Sequence, residues 1–201
     1  MASFREDRSA ERKLIILRTA AHLFIQKGYH ATTIEDIANE LRMTKGAIYY
    51  YVNSKEDLLF QCHTLVAAKC IERLQEIIEE KNPQAIKLEK AINSLVLYVI
   101  EENAVFNIIN RNSVLSKELY NKVIEQRDYY EDLFESILVE GINDGSFQTD
   151  NIKLTKLLIL GSINSISTWY KPRDSMLNED IANFYSKSLI KILGVKPPHL
   201  D

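Results

Sequence analysis

Apolar residues recur at intervals of three and four along nearly the whole chain, a period that predicts helices. Strand-like alternation is hard to find, and only 6 Gly and 4 Pro punctuate the 201 residues. Leu14, Leu17, Ala21 and Phe24 mark a first helix that stops at Lys27-Gly28, a cation in the last turn followed by a glycine. Thr33 opens a short second helix with Ile34, Ile37, Ala38 and Leu41 on its inner face, and Asp36 completes a variant of the capping box. Thr44 caps a third helix reaching about Val52. Ser54, with Asp57 three residues on, caps a long fourth that passes Cys70 and stops before Pro83. Further helices are expected at about 84–102, 104–111, 116–143, 152–170 and 178–193, with breaks at Gly141, Gly145, Pro172 and Gly194. The expected fold class is all-α with about nine helices: a three-helix head over 1–53 and a larger helical body over 54–201.

Hydrophobic content of 46% and charged content of 26% match a folded globular chain, with enough apolar material for a sizeable core. The formal charge of -3 argues against a protein that coats nucleic acid over its whole surface, but a local basic footprint is compatible with it. Arg5, Arg8, Arg12 and Lys13 gather near the start, partly offset by Glu6, Asp7 and Glu11. Cys62 and Cys70 stand eight residues apart in a helical segment, a rise of about 12 Å that forbids a disulfide within that helix. Reduced thiols in a cytoplasmic protein are the expectation. The charged start lacks a secretory apolar run, and no apolar stretch approaches a bilayer span, so no membrane partner is expected.

Catalysis finds no support. HExxH, GxSxG, a Walker loop and a dinucleotide glycine pattern are all missing. No two of His22, His30, His63 and His199 stand at helical ligand spacing, so neither a metal nor a cofactor is expected. The acid pairs Glu79-Glu80 and Glu101-Glu102 read as solvated helix faces.

The informative stretch is Thr32 to Leu59, TTIEDIANELRMTKGAIYYYVNSKEDLL. Two short helices joined near Arg42-Met43 make a helix-turn-helix, whose second helix suits the major groove of double-stranded DNA. Lys45 and Tyr49 are four apart and share one face, while Ile48 and Val52 point to the core. Lys45 offers a charged donor, Gly46 lets the backbone approach closely, and Tyr49 and Tyr50 offer hydroxyls for phosphates and rings for thymine methyls. Thr33, Thr44 and Ser54 stand at helix N-termini, where free N–H groups favour a phosphate, and Lys55 is expected to add another phosphate contact. The competing reading is a helix-turn-helix that serves packing alone.

This run, from Gly28 onward, resembles the helix-turn-helix of the TetR/AcrR family. The residues that carry the likeness are Gly28-Tyr29, Thr32-Thr33, Asp36-Ile37-Ala38, Lys45-Gly46, Ile48-Tyr49 and Ser54-Lys55-Glu56-Asp57-Leu58. Four departures stand out. Leu41-Arg42-Met43 replaces the usual Ala-Gly-Val of the turn, so Arg42 is expected to hold a conformation that glycine tolerates better. Ala47, at a DNA-facing position, replaces a common threonine, Tyr50 a common histidine and Val52 a common phenylalanine. The first three bear on the operator sequence, not on DNA binding itself.

The resemblance implies a homodimer whose last two helices pack against those of a partner, presenting two recognition helices to a palindromic operator. Gly161, Ser165 and Thr168 form a stripe that permits close helix approach, and Ile181, Phe184, Leu189 and Ile192 give the last helix an apolar face. Packing within one chain is the alternative for these residues. Trp169-Tyr170-Lys171-Pro172 and Leu177 through Tyr185 are similar to TetR-type repressors of fatty-acid and sterol breakdown, which implies a small-molecule inducer of the acyl-CoA type. Placement in the central helices nominates Tyr98, Asn103, Phe106, Asn107, Arg111, Tyr129, Tyr130, Phe134, Asn164 and Trp169 for the ligand pocket, with Arg111 for an anionic group. Asn164, amid Leu157, Leu158, Ile159, Ile163 and Ile166, is expected to have a specific polar partner. The expected function is a ligand-released repressor; a constitutive regulator without a ligand and an activator of the same fold are the alternatives.

Overall fold

The structure is a computed structural model that describes residues 4–101, 105, 108–109, 114–171 and 176–194. Among them, eight α-helices have described bounds: α1 (Phe4–Lys27), α2 (Ile34–Glu40), α3 (Lys45–Tyr49), α4 (Lys55–Glu79), α5 (Gln84–Glu101), α6 (Lys117–Asn143), α7 (Ile152–Trp169) and α8 (Asn178–Ile190). A 3-10 turn over Lys191–Leu193 follows α8, and no strand is present among the described residues. Of the helix expected over 104–111, Val105, Ile108 and Ile109 are helical, and the remainder lies outside the described residues.

Caps explain where the helices begin. Thr33 takes an extended backbone, its Oγ1 accepts from the Asp36 N–H at 3.1 Å, and Asp36 Oδ2 accepts from the Thr33 N–H at 2.8 Å. Thr44 Oγ1 accepts from the Ala47 N–H at 3.2 Å, and Asn151 Oδ1 from the Leu154 N–H at 2.9 Å. The third helix ends three residues earlier than its apolar pattern suggests. After Tyr49 the chain tightens, with the Tyr51 N–H on the Ile48 carbonyl at 2.9 Å, and the Asn53 N–H turns to Asp57 Oδ2 at 2.7 Å. Arg42, in the turn between α2 and α3, has φ 52 and is the one non-glycine with positive φ among the described residues. The expectation drawn from the missing glycine is met.

The chain packs as two units: Met1–Val66 with Ala104–Val123, and Ala67–Asn103 with Ile124–Asp201. In the first, Ile16, Ala20 and Phe24 of α1 share a core with Ile37 of α2, Ile48 of α3 and Leu58, Leu59 and Cys62 of α4. In the second, α5 packs chiefly on α8 and α7, burying Ile92, Val96 and Val99 with Phe134, Ile159, Ile163, Ile181 and Leu193. Lys156 of α7 is buried between two carboxylates of α6, with Nζ at 2.6 Å from Glu135 and 3.6 Å from Glu131. The hydrogen bond to Glu135 raises its pKa against the opposing pull of desolvation. Both cysteines are buried and neither is in a disulfide; Cys62 Sγ donates to the Leu17 carbonyl, and burial pushes the Cys70 thiol up to about 12.

One break in the sequence reading is corrected. Gly141 lies inside α6, two residues before its end, and does not interrupt it. Its role is space: a Cβ there would fall 2.1 Å from the Phe147 ring, which returns against α6 and is almost fully buried.

Two substitutions separate these uses of glycine. Gly141→Ala is expected to lower stability by about 1–3 kcal/mol, because a buried aromatic ring must move to admit one methyl group. Arg42→Gly is expected to raise it by about 1 kcal/mol, because it relieves a left-handed backbone. Thermal and urea unfolding followed by circular dichroism measure both; the same sign for the two would refute this account.

Candidate nucleic-acid interface

The α2–α3 pair is assembled from its inner face outward. Ile34, Ile37 and Ala38 on α2, and Ile48 with Val52 in and after α3, are buried in the core of the first unit. The Met43 N–H bonds the Ala38 carbonyl at 2.8 Å and the Arg42 N–H bonds Asn39 at 3.1 Å, which turns the chain from one helix to the next. Ile48 is 0% exposed, and Gly46 and Tyr50, two residues to either side of it, fall on the opposite face. Lys45 and Gly46 are exposed, Tyr49 is 46% exposed and Tyr50 is 78% exposed. Tyr50 rests edge-on against Tyr51, with centroids 5.0 Å apart. Ala47 is half-buried beside them. A Cβ at Gly46 would meet nothing nearer than Thr44 Oγ1 at 4.0 Å, so nothing inside the chain requires glycine there.

Two residues assigned to phosphates are otherwise engaged. Thr33 donates its hydroxyl to Asp36 Oδ2 at 2.6 Å and its N–H to the same oxygen, and Asp36 also pairs with Lys27 at 3.0 Å. The Thr33 hydroxyl and backbone bonds, followed by Lys27, hold the Asp36 carboxyl down at about 2, so a carboxylate already occupies the N-terminus of α2. Lys55 points back to the α1–α2 loop. Its ammonium donates to the carbonyls of Tyr29 and Thr32 at 2.9 Å each and of His30 at 3.4 Å, and it lies 4.4 Å from the centre of the Tyr29 ring. The partners of both residues are backbone or side-chain atoms of the chain itself. Thr44 keeps a hydroxyl hydrogen to offer, since its oxygen is the acceptor in the α3 cap.

The residues nominated for a ligand divide into three groups. Asn103, Phe106, Asn107 and Arg111 lie outside the described residues. Phe134 is fully buried, with Tyr98 and Tyr130 packed on the same core. Burial, with a smaller contribution from Cys70, holds the Tyr130 phenol well above its ordinary pKa. Tyr129 is exposed instead, and its hydroxyl accepts from Gln75 at 3.0 Å. Asn164 and Trp169 are exposed as well, on the α7 stripe that carries Leu157, Leu158, Gly161, Ser165 and Thr168. Asn164 therefore needs no buried polar partner within its own chain.

Residues 16–62 match the family model of bacterial regulatory proteins of the tetR family, and residues 81–193 match the tetracyclin repressor-like C-terminal domain. Among curated relatives, the fatty acid metabolism regulator protein of Bacillus subtilis is 30% identical over 159 residues, covering 77% of this chain and 81% of the relative. The repressor KstR2 of Rhodococcus jostii is 22% identical over 191 residues, covering 94% and 93%. Among solved structures, the TetR-family regulator PfmR of Thermus thermophilus superposes with a TM-score of 0.78 at 28% identity, covering 88% of this chain and 97% of the other. FadR of Bacillus subtilis in complex with stearoyl-CoA does so at 0.75 and 25%, with the same coverage. No described helix is long and apolar enough to cross a membrane. With both family domains matched in order over most of its length, this chain belongs to the TetR family of bacterial transcription regulators.

Proposed function

We propose that this protein is a cytoplasmic repressor that binds palindromic operator DNA as a homodimer and releases it on binding an acyl-CoA thioester. The observation that carries the DNA reading is the exposed ridge from Lys45 to Tyr50 above a fully buried Ile48. A cation, an uncovered backbone and two phenols present the groups that read phosphates and base edges. Residues 1–53 would be the head that reads DNA, its core completed by Leu58, Leu59 and Cys62 of α4, and the rest of 54–201 would dimerise and sense.

The homodimer is supported by the outer faces of the last two helices. Leu154, Leu157, Leu158 and Trp169 on α7 and Phe184 on α8 are large, apolar and exposed in the single chain, and the small residues Gly161 and Ser165 lie among them. An uncovered apolar surface of this kind marks a place for a partner. The acyl-CoA reading draws on the relatives, one named for fatty acid metabolism and one solved with stearoyl-CoA. Within the body, Tyr98, Tyr130 and Phe134 are packed in the apolar core, which would have to open to admit a chain of methylenes. Because α4 supplies residues to both units, a ligand-driven shift in the body would pass along that helix to the head, and the two recognition helices would lose the groove spacing.

Lys45→Ala and Tyr49→Ala should abolish binding to a duplex selected by the wild-type protein while the dimer stays folded. Gly46→Ala should melt up to about 1 kcal/mol more stable yet bind that duplex less well. Gel shifts beside thermal melts test these outcomes, and undiminished binding by all three variants would refute the assigned face. Stearoyl-CoA should weaken operator affinity by about 5- to 150-fold, whereas free coenzyme A should not. Fluorescence anisotropy at rising ligand concentration measures the release, and indifference to acyl-CoA of every chain length would reject the ligand class.

A further inference from the structure

Lys55 has an unusual set of neighbours for the second residue of a surface motif. An ammonium carries three hydrogens, and the three carbonyls within reach, those of Tyr29, His30 and Thr32, all belong to one short loop. The Tyr29 ring adds the face of an aromatic at 4.4 Å. That ring is itself fixed, packed against Phe24 with centroids 5.2 Å apart. The loop is tied down from within: Gly28 has φ 84, and Thr32 Oγ1 donates to the carbonyls of Gly28 at 2.8 Å and Leu23 at 3.2 Å. The loop carbonyls are thus held in place, and the Lys55 ammonium is the cation that meets them.

The first turns of α4 make a second attachment, on the other side of the helix-turn-helix. Asp57 Oδ2 accepts from the Asn53 N–H at 2.7 Å, and Gln61 reaches both Asp57 at 3.0 Å and the Tyr51 carbonyl at 3.5 Å. Consequently α4 grips the chain just before α2, through Lys55, and just after α3, through Asp57 and Gln61. The two short helices between these grips are held at both ends by one helix.

We propose that Lys55 is a positioning residue: its ammonium clasps the α1–α2 loop to the first turn of α4 and so sets the angle at which α3 meets DNA, without itself touching a phosphate. The inference rests on the DNA-binding reading above. The two roles differ in what they do to sequence discrimination. A phosphate contact strengthens binding to every duplex alike and releases a counterion. A clasp acts only where the recognition helix must fit base edges, so its loss is felt on the specific site alone.

The test compares wild type, Lys55→Met and Lys55→Arg on two duplexes, one selected by the wild-type protein from a random pool and one of unrelated sequence, across a salt series. Arginine keeps the charge and the reach for a phosphate, but its planar fork does not direct three hydrogens onto three converging carbonyls. Both variants are expected to lose about tenfold or more on the selected duplex, the scale of lost hydrogen bonds to a charged group. Affinity for the unrelated duplex and the salt slope should remain as in wild type. Three results would overturn the proposal. One is equal loss on both duplexes with Lys55→Met, the slope shrinking by about two per dimer. Another is wild-type affinity in Lys55→Arg on the selected duplex, which also decides the matter if Lys55→Met does not fold. The third is unchanged affinity in both variants despite lower melting temperatures, which makes the residue merely structural. A wild-type protein that selects no duplex would instead remove the DNA reading itself.

Discussion

A helix of only five residues cannot persist in water by its own hydrogen bonds, because nucleation costs more than so few bonds return. α3 exists because Ile48 and Val52 are buried beneath it and Thr44 closes its first turn. Burying those two side chains removes roughly 1.5–3 kcal/mol of unfavourable apolar exposure each, an upper estimate that suffices for so short an element. The same burial fixes the rotation of the helix about its axis. With Ile48 held inward, Gly46 and Tyr50 fall on the opposite face, and Lys45 and Tyr49 are exposed beside them. The recognition surface is therefore a by-product of packing on its reverse side.

Electrostatics around that surface is local, which reconciles a regulator of DNA with a chain of net charge -3. At the start of α2 the dipole is met by Asp36, itself paired with Lys27, so that helix end is already neutralised from within. At the start of α4 the cation of Lys55 is enclosed by carbonyl oxygens of the chain. Both groups stabilise the scaffold, while the α3 ridge keeps the uncovered donors.

Much of the fold was legible in the sequence because its helices announce their own starts. Thr33 with Asp36, Thr44, and Ser54 with Asp57 depend on partners three residues away, which sequence spacing can display. Long-range partners cannot be displayed that way. Lys55 lies more than twenty residues from the carbonyls it binds, and Gly141 is small because of Phe147, a ring that returns only after the helix has ended. Arg42 was legible for the opposite reason: its left-handed backbone is a property of the turn alone. Asn164 was misread because its immediate neighbours mix inward Ile163 and Ile166 with outward Leu157 and Leu158, so local apolarity did not mean burial.

Three helical glycines, Gly46, Gly141 and Gly161, differ in what surrounds them. Glycine inside a helix costs about 0.5–1 kcal/mol relative to alanine, so its presence asks for a reason. At Gly141 the reason is inside the chain, where a Cβ would strike Phe147. At Gly46 and Gly161 it is not: a Cβ at the first meets only Thr44 Oγ1 at 4.0 Å, and one at the second meets nothing within 4 Å. Neither has the positive φ that would demand glycine for its backbone. Among the described residues no side chain takes up the space at either position, which leaves both open to a group that approaches from outside. Gly46 lies on the ridge assigned to DNA, and Gly161 lies on the exposed apolar α7 stripe, where a partner helix drawn to about 8 Å would leave no room for larger side chains. In the proposed homodimer on its operator, both positions would be occupied, Gly46 by the duplex and Gly161 by the partner.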